Sequence, residues 1–161
     1  MKVGFVSLGC SKNLVDTEMC IGIFKKENYE IVTNTEEAEI IVINTCGFIE
    51  SAKEEAINTI LEMAEYKIHG NCKYLIVIGC LVQRYKAELE VSLSEVDLFI
   101  SIDEYDKMWD KISNLINVKN NENKLVEIKE QIENLEEEKE ELLSYAESIN
   151  LAKEYLEKAN I

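Results

Sequence analysis

The sequence predicts an α/β protein with a doubly wound, mainly parallel five-stranded sheet, followed by a long acidic helix at the C-terminal end. Short runs rich in Val and Ile alternate with segments of helical periodicity, as in parallel α/β domains. Three of these runs end on a cysteine, at Cys10, Cys46 and Cys80. From about residue 121 the pattern changes to an acidic one with heptad-like spacing.

The predicted strands are bounded by turn residues and have few charges. The first, third and fourth lead to Cys10, Cys46 and Cys80, whereas residues 29–32 and 98–102 form shorter second and fifth strands. We favour the strand order 2-1-3-4-5 because it makes the three cysteine-bearing strands neighbours. Neighbouring strands lie ~4.8 Å apart, and ligands of open α/β sheets bind at the carboxyl edge. The three thiols are therefore expected to converge on one small site.

Polar residues after the strands indicate where the helices begin. Asn13 and Asp16 resemble a helix start after the first strand. Ser51 and Glu54 have the spacing of a capping box, which predicts a helix to about residue 67. A short helix is predicted over residues 83–90. Asp103 is expected to cap a last helix whose apolar residues are buried, namely Met108, Trp109, Ile112, Leu115 and Ile116.

The last part of the chain is predicted to be a separate acidic helix. We expect a domain over residues 1–117, a linker over 118–123 and a helical tail over 124–161. Apolar residues in the tail alternate three and four apart and later seven apart: Leu125, Ile128, Ile132, Leu135, Leu142 and Ile149. This stripe fits either a helix packed on the domain or on a second copy, or a dedicated partner-binding helix.

Composition limits the classes of function. The formal net charge is −15, with 32 acidic and 17 basic residues, which argues against a free-standing nucleic-acid binder and against attraction to anionic membranes. No apolar stretch approaches the ~20 residues of a membrane span, and no signal peptide is visible. A cytoplasmic location is expected. Because thiols stay reduced there, the five cysteines indicate metal binding or catalysis rather than disulfides.

The cysteines allow two interpretations. A cysteine at the end of a buried strand is most often a small apolar residue, and we assign Cys20 and Cys72 to that class. Three thiolates at one sheet edge could instead bind zinc or an iron–sulfur cluster with one open position. Other cysteine chemistries lack their partners, since no C-x-x-C motif occurs and the only histidine, His69, falls at the opposite edge of the predicted sheet.

Three motifs resemble the amino-terminal part of the radical S-adenosylmethionine methylthiotransferases. They are Ser7-Leu8-Gly9-Cys10-Ser11-Lys12-Asn13-Leu14-Val15-Asp16-Thr17-Glu18, Ile43-Asn44-Thr45-Cys46-Gly47-Phe48-Ile49 and Gly79-Cys80-Leu81-Val82-Gln83-Arg84-Tyr85. The similarity covers roughly residues 1–117. It is greater to the branch that modifies an aspartate of a small-subunit ribosomal protein than to the tRNA-modifying branch.

The resemblance implies that Cys10, Cys46 and Cys80 ligate an auxiliary [4Fe–4S] cluster that holds the transferred sulfur. It also implies that Asn13, Asn44, Thr45 and Gln83 shape the loops around the cluster and hydrogen-bond its sulfurs. Arg84 could steady the thiolate charge or simply lie on a helix. The expected partner is a ribosomal protein; we expect neither membrane nor direct nucleic-acid contact, and self-association through residues 124–161 is a further option.

The sequence also departs from the family pattern. The C-x-x-x-C-x-x-C motif, whose cluster cleaves S-adenosylmethionine in the full-length family, is absent from these 161 residues. We therefore expect the cofactor S-adenosylmethionine not to bind this chain, and the chain alone to be inactive. The alternatives are a non-catalytic binding or scaffold module that associates through its acidic helix, and a structural zinc domain.

Overall fold

The computed structural model describes residues 1–159, which divide into two compact units between Ile116 and Asn117. The strands are β1 (Lys2–Ser7), β2 (Glu30–Val32), β3 (Ile40–Thr45), β4 (Tyr74–Gly79) and β5 (Leu98–Ile100). The helices are α1 (Ser11–Lys26), α2 (Glu50–His69), α3 (Cys80–Ser92) and α4 (Met108–Lys158). Two 3-10 turns cover Thr35–Glu37 and Ile102–Lys107.

The five strands form one parallel sheet in the order β2-β1-β3-β4-β5. This confirms the predicted fold class and strand order. β3 and β4 are buried along their whole length, because both faces of a doubly wound sheet are covered by helices. The three strands that lead to cysteines are therefore the central ones, β1, β3 and β4.

Alternate residues of the central strands are buried in two separate cores, one on each face of the sheet. Ile41 and Ile43 of β3 pack with buried residues of α2 and α3 on one face of the sheet. Ile40 and Val42 pack on the other face with Phe24 of α1 and with the first turns of α4. Three of the residues predicted to be buried in the last helix, Met108, Ile112 and Ile116, are buried. Trp109 and Leu115 are only partly buried against this core.

Some predicted boundaries are wrong. α1 begins at Ser11 with Cys10 at its N-cap, before Asn13. α2 begins at Glu50 with Ile49 at its N-cap, so Ser51 lies inside the helix and forms no capping box. α3 begins directly at Cys80 and has a kink at Tyr85. Each helix begins directly after the preceding strand or loop. The position of that strand or loop in the fold, and not the local capping residue, therefore sets where the helix starts.

The long C-terminal helix is confirmed, but it is longer than predicted. α4 runs without interruption from Met108 to Lys158, so residues 118–123, predicted as a linker, are helical. The chain contains no proline and none of its six glycines falls in this region, so nothing there interrupts the backbone hydrogen bonds of a helix. Among residues 1–159, no helix is both long and apolar enough to cross a membrane.

Glu104 joins α3, the second 3-10 turn and α4. Its carboxylate accepts hydrogen bonds from Lys86 at 2.7 Å, from Lys111 at 2.9 Å and from the backbone N–H of Ser101 at 3.0 Å. The Lys86 ammonium, with further donation from Ser101 and Lys111, holds the pKa of Glu104 far below its ordinary value. Ser101 and Glu104 also form a capping box, which the sequence analysis did not identify.

We expect Glu104→Gln to lower the free energy of unfolding at neutral pH by about 1–2 kcal/mol, because charge-assisted hydrogen bonds are lost. A carboxylate with a lowered pKa stabilises the folded state above its unfolded pKa of about 4.3, and this contribution is lost as pH falls. The difference between wild type and variant in urea unfolding should therefore shrink below about pH 4. Glu90→Gln, at an exposed position of α3, is the control; an equal effect of both variants would contradict the assignment.

Candidate metal centre at the carboxyl edge of the sheet

Cys10, Cys46 and Cys80 lie at the carboxyl ends of three neighbouring strands. Cys46 directly follows β3 and Cys80 directly follows β4, whereas Cys10 comes after β1 and two loop residues. The register pairs the ends of these strands, Ser7 with Asn44 and Thr45 with Gly79. The structure therefore brings the three predicted ligands to one edge of the sheet.

Two glycines with positive φ control the turns that precede two of these cysteines. Gly9 has φ 99°, and a methyl group built on it would lie 2.7 Å from Cβ of Cys46. Gly79 has φ 109°, and a methyl group there would lie 2.4 Å from the carbonyl oxygen of Thr45. A side chain at Gly9 or Gly79 would have an unfavourable backbone conformation and would also clash with neighbouring atoms. The loops of Cys10, Cys46 and Cys80 therefore approach one another closely.

A buried polar cluster of Asn13, Thr17 and Asn44 joins α1 to the end of β3. The Asn13 amide donates to the carbonyl oxygens of Leu8 at 2.7 Å and Thr45 at 3.0 Å. The Asn44 amide donates to the carbonyl oxygen of Asn13 at 2.7 Å and to the Thr17 hydroxyl at 3.1 Å. Asn13 and Asn44 are each only 1% exposed, where unmade hydrogen bonds are costly. The cluster therefore holds the loops of Cys10 and Cys46 together.

A second contact joins the ends of β3 and β4. The Thr45 hydroxyl donates to the carbonyl oxygen of Ile78 at 2.7 Å. The side-chain oxygen of Asn44 has no hydrogen-bond partner among the described residues, and it lies 2.5 Å from the position of a methyl group built on Gly79. Asn44 and Thr45 therefore fit closely against the backbone that leads into Cys80.

The other residues singled out from the sequence lie less close to the thiols. The side-chain oxygen of Asn13 is 4.0 Å from Sγ of Cys10. Gln83 is exposed and accepts a hydrogen bond from the backbone N–H of Asp103 at 3.2 Å. Arg84 donates to the carbonyl oxygen of Gly47 at 3.2 Å and lies over the ring of Phe48. Arg84 therefore supports the loop that follows Cys46.

Thr17 is a member of the polar cluster that sequence reasoning missed. It lies four residues after Asn13 on α1, and its hydroxyl donates to the Asn13 carbonyl oxygen at 2.8 Å. The spacing of two polar residues on one helix face, together with Asn44 at the end of an apolar strand, is the signal that could have identified it.

The thiols of Cys10 and Cys80 differ in environment. Cys10 is exposed at the N-cap of α1, and the backbone N–H groups of Asn13 and Lys12 lower its pKa from the ordinary value. A helix N-terminus stabilises a thiolate in this way. Burial raises the pKa of Cys80, and the electrostatic influence of Cys46 and Cys10 raises it further. The environment therefore favours the thiolate at Cys10 and the protonated thiol at Cys80.

Cys20 and Cys72 are buried in the two cores, and the Cys72 thiol donates to the carbonyl oxygen of Tyr74 at 3.4 Å. Cys20 is fully buried beside Phe24 in one core, and burial raises its pKa to about 12. Cys72 is 5% exposed in the other core, and burial raises its pKa to about 11. Both thiols stay protonated at neutral pH and pack as small apolar side chains, which matches their assignment from the sequence.

Within residues 1–159, no three His, Cys, Asp or Glu side chains are close enough together to hold a single metal ion. The three cysteines at the sheet edge are nevertheless the right type of ligand for an iron–sulfur cluster, because such clusters are usually held by cysteine thiolates. An iron–sulfur cluster is larger than a single metal ion, so its cysteine ligands can lie farther apart. The three thiols at this edge of the sheet therefore suit a cluster better than a single cation.

Comparisons with known proteins match the same part of the chain. Residues 2–101 match the family described as Uncharacterized protein family UPF0004. The ribosomal protein uS12 methylthiotransferase RimO of Alkaliphilus oremlandii is 61% identical over 132 residues, which are 82% of this chain and 30% of that protein. RimO of Acetivibrio thermocellus is 54% identical over 76% of this chain and 27% of its own length. The chain thus spans less than a third of these relatives.

Proposed function

The chain belongs to the UPF0004 family, the amino-terminal domain of methylthiotransferases, and from this premise we propose that it holds an auxiliary [4Fe–4S] cluster on Cys10, Cys46 and Cys80. The observation that carries the proposal is the position of the three thiols at the carboxyl ends of β1, β3 and β4. Three protein ligands leave one iron open, and such a cluster supplies a place to bind the sulfur that is transferred.

In this proposal the residues around the thiols have separate roles. Cys10 is the most accessible ligand, and the backbone N–H groups at the start of α1 favour its thiolate form. Asn13, Asn44 and Thr45 position the three loops through bonds to backbone carbonyl oxygens. They are positioning residues. Both amide N–H groups of Asn13 are donated to the carbonyl oxygens of Leu8 and Thr45, so the hydrogen bonds to cluster sulfurs that the resemblance implied are not part of this proposal. Gln83 positions the chain after β5.

We further propose that residues 1–117 are the cluster domain of an enzyme that methylthiolates a ribosomal protein, as the names of the relatives indicate for those proteins. These 161 residues contain no C-x-x-x-C-x-x-C motif, so radical generation and S-adenosylmethionine binding are assigned elsewhere in the full-length family. We also propose a cytoplasmic location, in which the five cysteines would stay reduced.

Anaerobic reconstitution of the wild-type chain with iron and sulfide tests this proposal. We expect a brown protein with the broad visible absorption of an iron–sulfur cluster and about four iron atoms and four sulfides per chain. A colourless protein that binds about one zinc ion would overturn the proposal in favour of a structural zinc domain. A folded chain that takes up neither metal would support a binding or scaffold module instead.

A further inference from the structure

A stripe of exposed apolar side chains runs along the helix of the second unit. Its members are spaced three, four or seven residues apart, and each is between 42% and 70% exposed. We call this set the heptad stripe: Leu125, Ile128, Ile132, Leu135, Leu142, Ile149 and Leu156. Burying such a stripe against another helix removes apolar surface from water.

The stripe keeps one heptad phase over residues 125–156. With Leu125 at position a and Ile128 at position d, every d position is Leu or Ile. The a positions are Leu125, Ile132, Lys139, Ala146 and Lys153. The d positions are apolar in five successive heptads, whereas the a positions are apolar in three of them and are interrupted by Lys139 and Lys153. The repeat of 3.5 residues is that of helices that supercoil around each other.

The acidic residues of the helix lie mostly away from the stripe. Residues 121–161 contain twelve Glu, and eight occupy the outer positions b, c and f: Glu127, Glu130, Glu133, Glu137, Glu140, Glu141, Glu147 and Glu154. Only four, Glu122, Glu136, Glu138 and Glu157, flank the stripe at e and g. A basic partner helix would be recognised by acidic residues at e and g, so the charge distribution favours a second acidic helix, that is, a second copy of this chain.

The two lysines at a positions, Lys139 and Lys153, bear on the orientation of the two copies. In a parallel pair, position a faces its own counterpart, so Lys139 would face Lys139 and Lys153 would face Lys153. In an antiparallel pair, a faces d, so Lys139 faces Leu142 and Lys153 faces Ile128. Unfavourable pairing of like charges is a common determinant of coiled-coil orientation, and here it favours the antiparallel pair.

We propose that residues 125–156 form an antiparallel two-stranded coiled coil with a second copy of this chain. In this register all ten a and d positions are used, since Leu125 meets Leu156, Ile132 meets Ile149, and Leu135 meets Ala146. The inference concerns α4 alone and is independent of the cluster proposed for the first unit.

Sedimentation equilibrium of the intact chain tests the self-association. We expect the wild type to be a dimer and Leu135→Lys, at position d, to raise the dissociation constant at least tenfold. Val126→Lys is the matched control, because Val126 is also exposed but occupies position b. Circular dichroism checks that both variants keep the helix. A monomeric wild type, or equal effects of the two substitutions, would overturn the proposal.

Cysteine cross-linking tests the orientation. A chain carrying both Ile128→Cys and Lys153→Cys should form a covalent dimer on mild oxidation, because these positions face each other between copies. Ile128→Cys alone should not exceed the cross-linking of the wild type, since its two copies would be about 38 Å apart along the antiparallel helices. Efficient cross-linking by Ile128→Cys alone would show a parallel pair and overturn the proposed orientation.

Discussion

Cys10→Ala, Cys46→Ala and Cys80→Ala are each expected to abolish the visible absorption and most of the iron bound after anaerobic reconstitution. Each of the three thiols follows a different central strand, and loss of one leaves a cluster with only two protein ligands. Iron content should fall from about four atoms per chain to well below one. Iron and sulfide analysis, together with the visible spectrum, measures the effect.

The two core cysteines provide the matched controls. Cys20→Ala and Cys72→Ala remove thiols of the same kind from buried sites, so they should cost some stability and keep the full iron content. Circular dichroism before reconstitution separates failure to fold from failure to bind. If Cys20→Ala or Cys72→Ala lost the cluster while folded, or if a single edge variant kept four irons, the ligand assignment would be wrong.

Gly79→Ala is expected to have the largest effect on stability, with a loss of about 3–5 kcal/mol in the free energy of unfolding. Gly79 has φ 109° and ψ −164°, a region that is essentially restricted to glycine and costs about 1–3 kcal/mol for other residues. The added methyl group would also meet the carbonyl oxygen of Thr45 at 2.4 Å, and overpacking typically costs about 1–3 kcal/mol more. Small domains have only about 5–15 kcal/mol in total.

Gly22→Ala is the control for this substitution, and we expect it to raise the free energy of unfolding where Gly79→Ala lowers it. Gly22 lies within α1, and a methyl group built there would meet no atom within 4 Å. Alanine should therefore stabilise the protein by about 0.5–1 kcal/mol through its higher helix propensity. Urea unfolding measures both variants. A Gly79→Ala variant as stable as the wild type would contradict the close packing of β3 against the turn before Cys80.

The central strands could be predicted from long apolar runs, and the strand order from the cysteines that follow three of them. Ile40–Thr45 and Tyr74–Gly79 have so few polar residues that they must be buried on both faces, and that placed Cys46 and Cys80 correctly. Local signals were less reliable. Ser51 and Glu54 have capping-box spacing, yet the helix begins earlier, because packing of the whole helix outweighs a single cap.

The contacts within the site could not be predicted from residue type. Asn13, Asn44 and Gln83 belong to the same three motifs, but only Asn13 and Asn44 are buried. Their amides bind backbone carbonyl oxygens of distant segments, and such pairs depend on the final separation of the loops. The helical state of residues 118–123 was also missed, since asparagines typical of a linker are tolerated in a helix that lacks Gly and Pro.

The central place of β1 in the sheet has a consequence for folding during synthesis. β1 pairs with β2 and β3 and not with any strand before residue 30. Its apolar residues, and Cys10 behind them, therefore leave the ribosome well before the partners that cover them. Parallel pairing of this kind is non-local and slow. The nascent chain thus exposes an apolar strand that is not covered on both sides until β3 is made, a stage at which aggregation competes with folding.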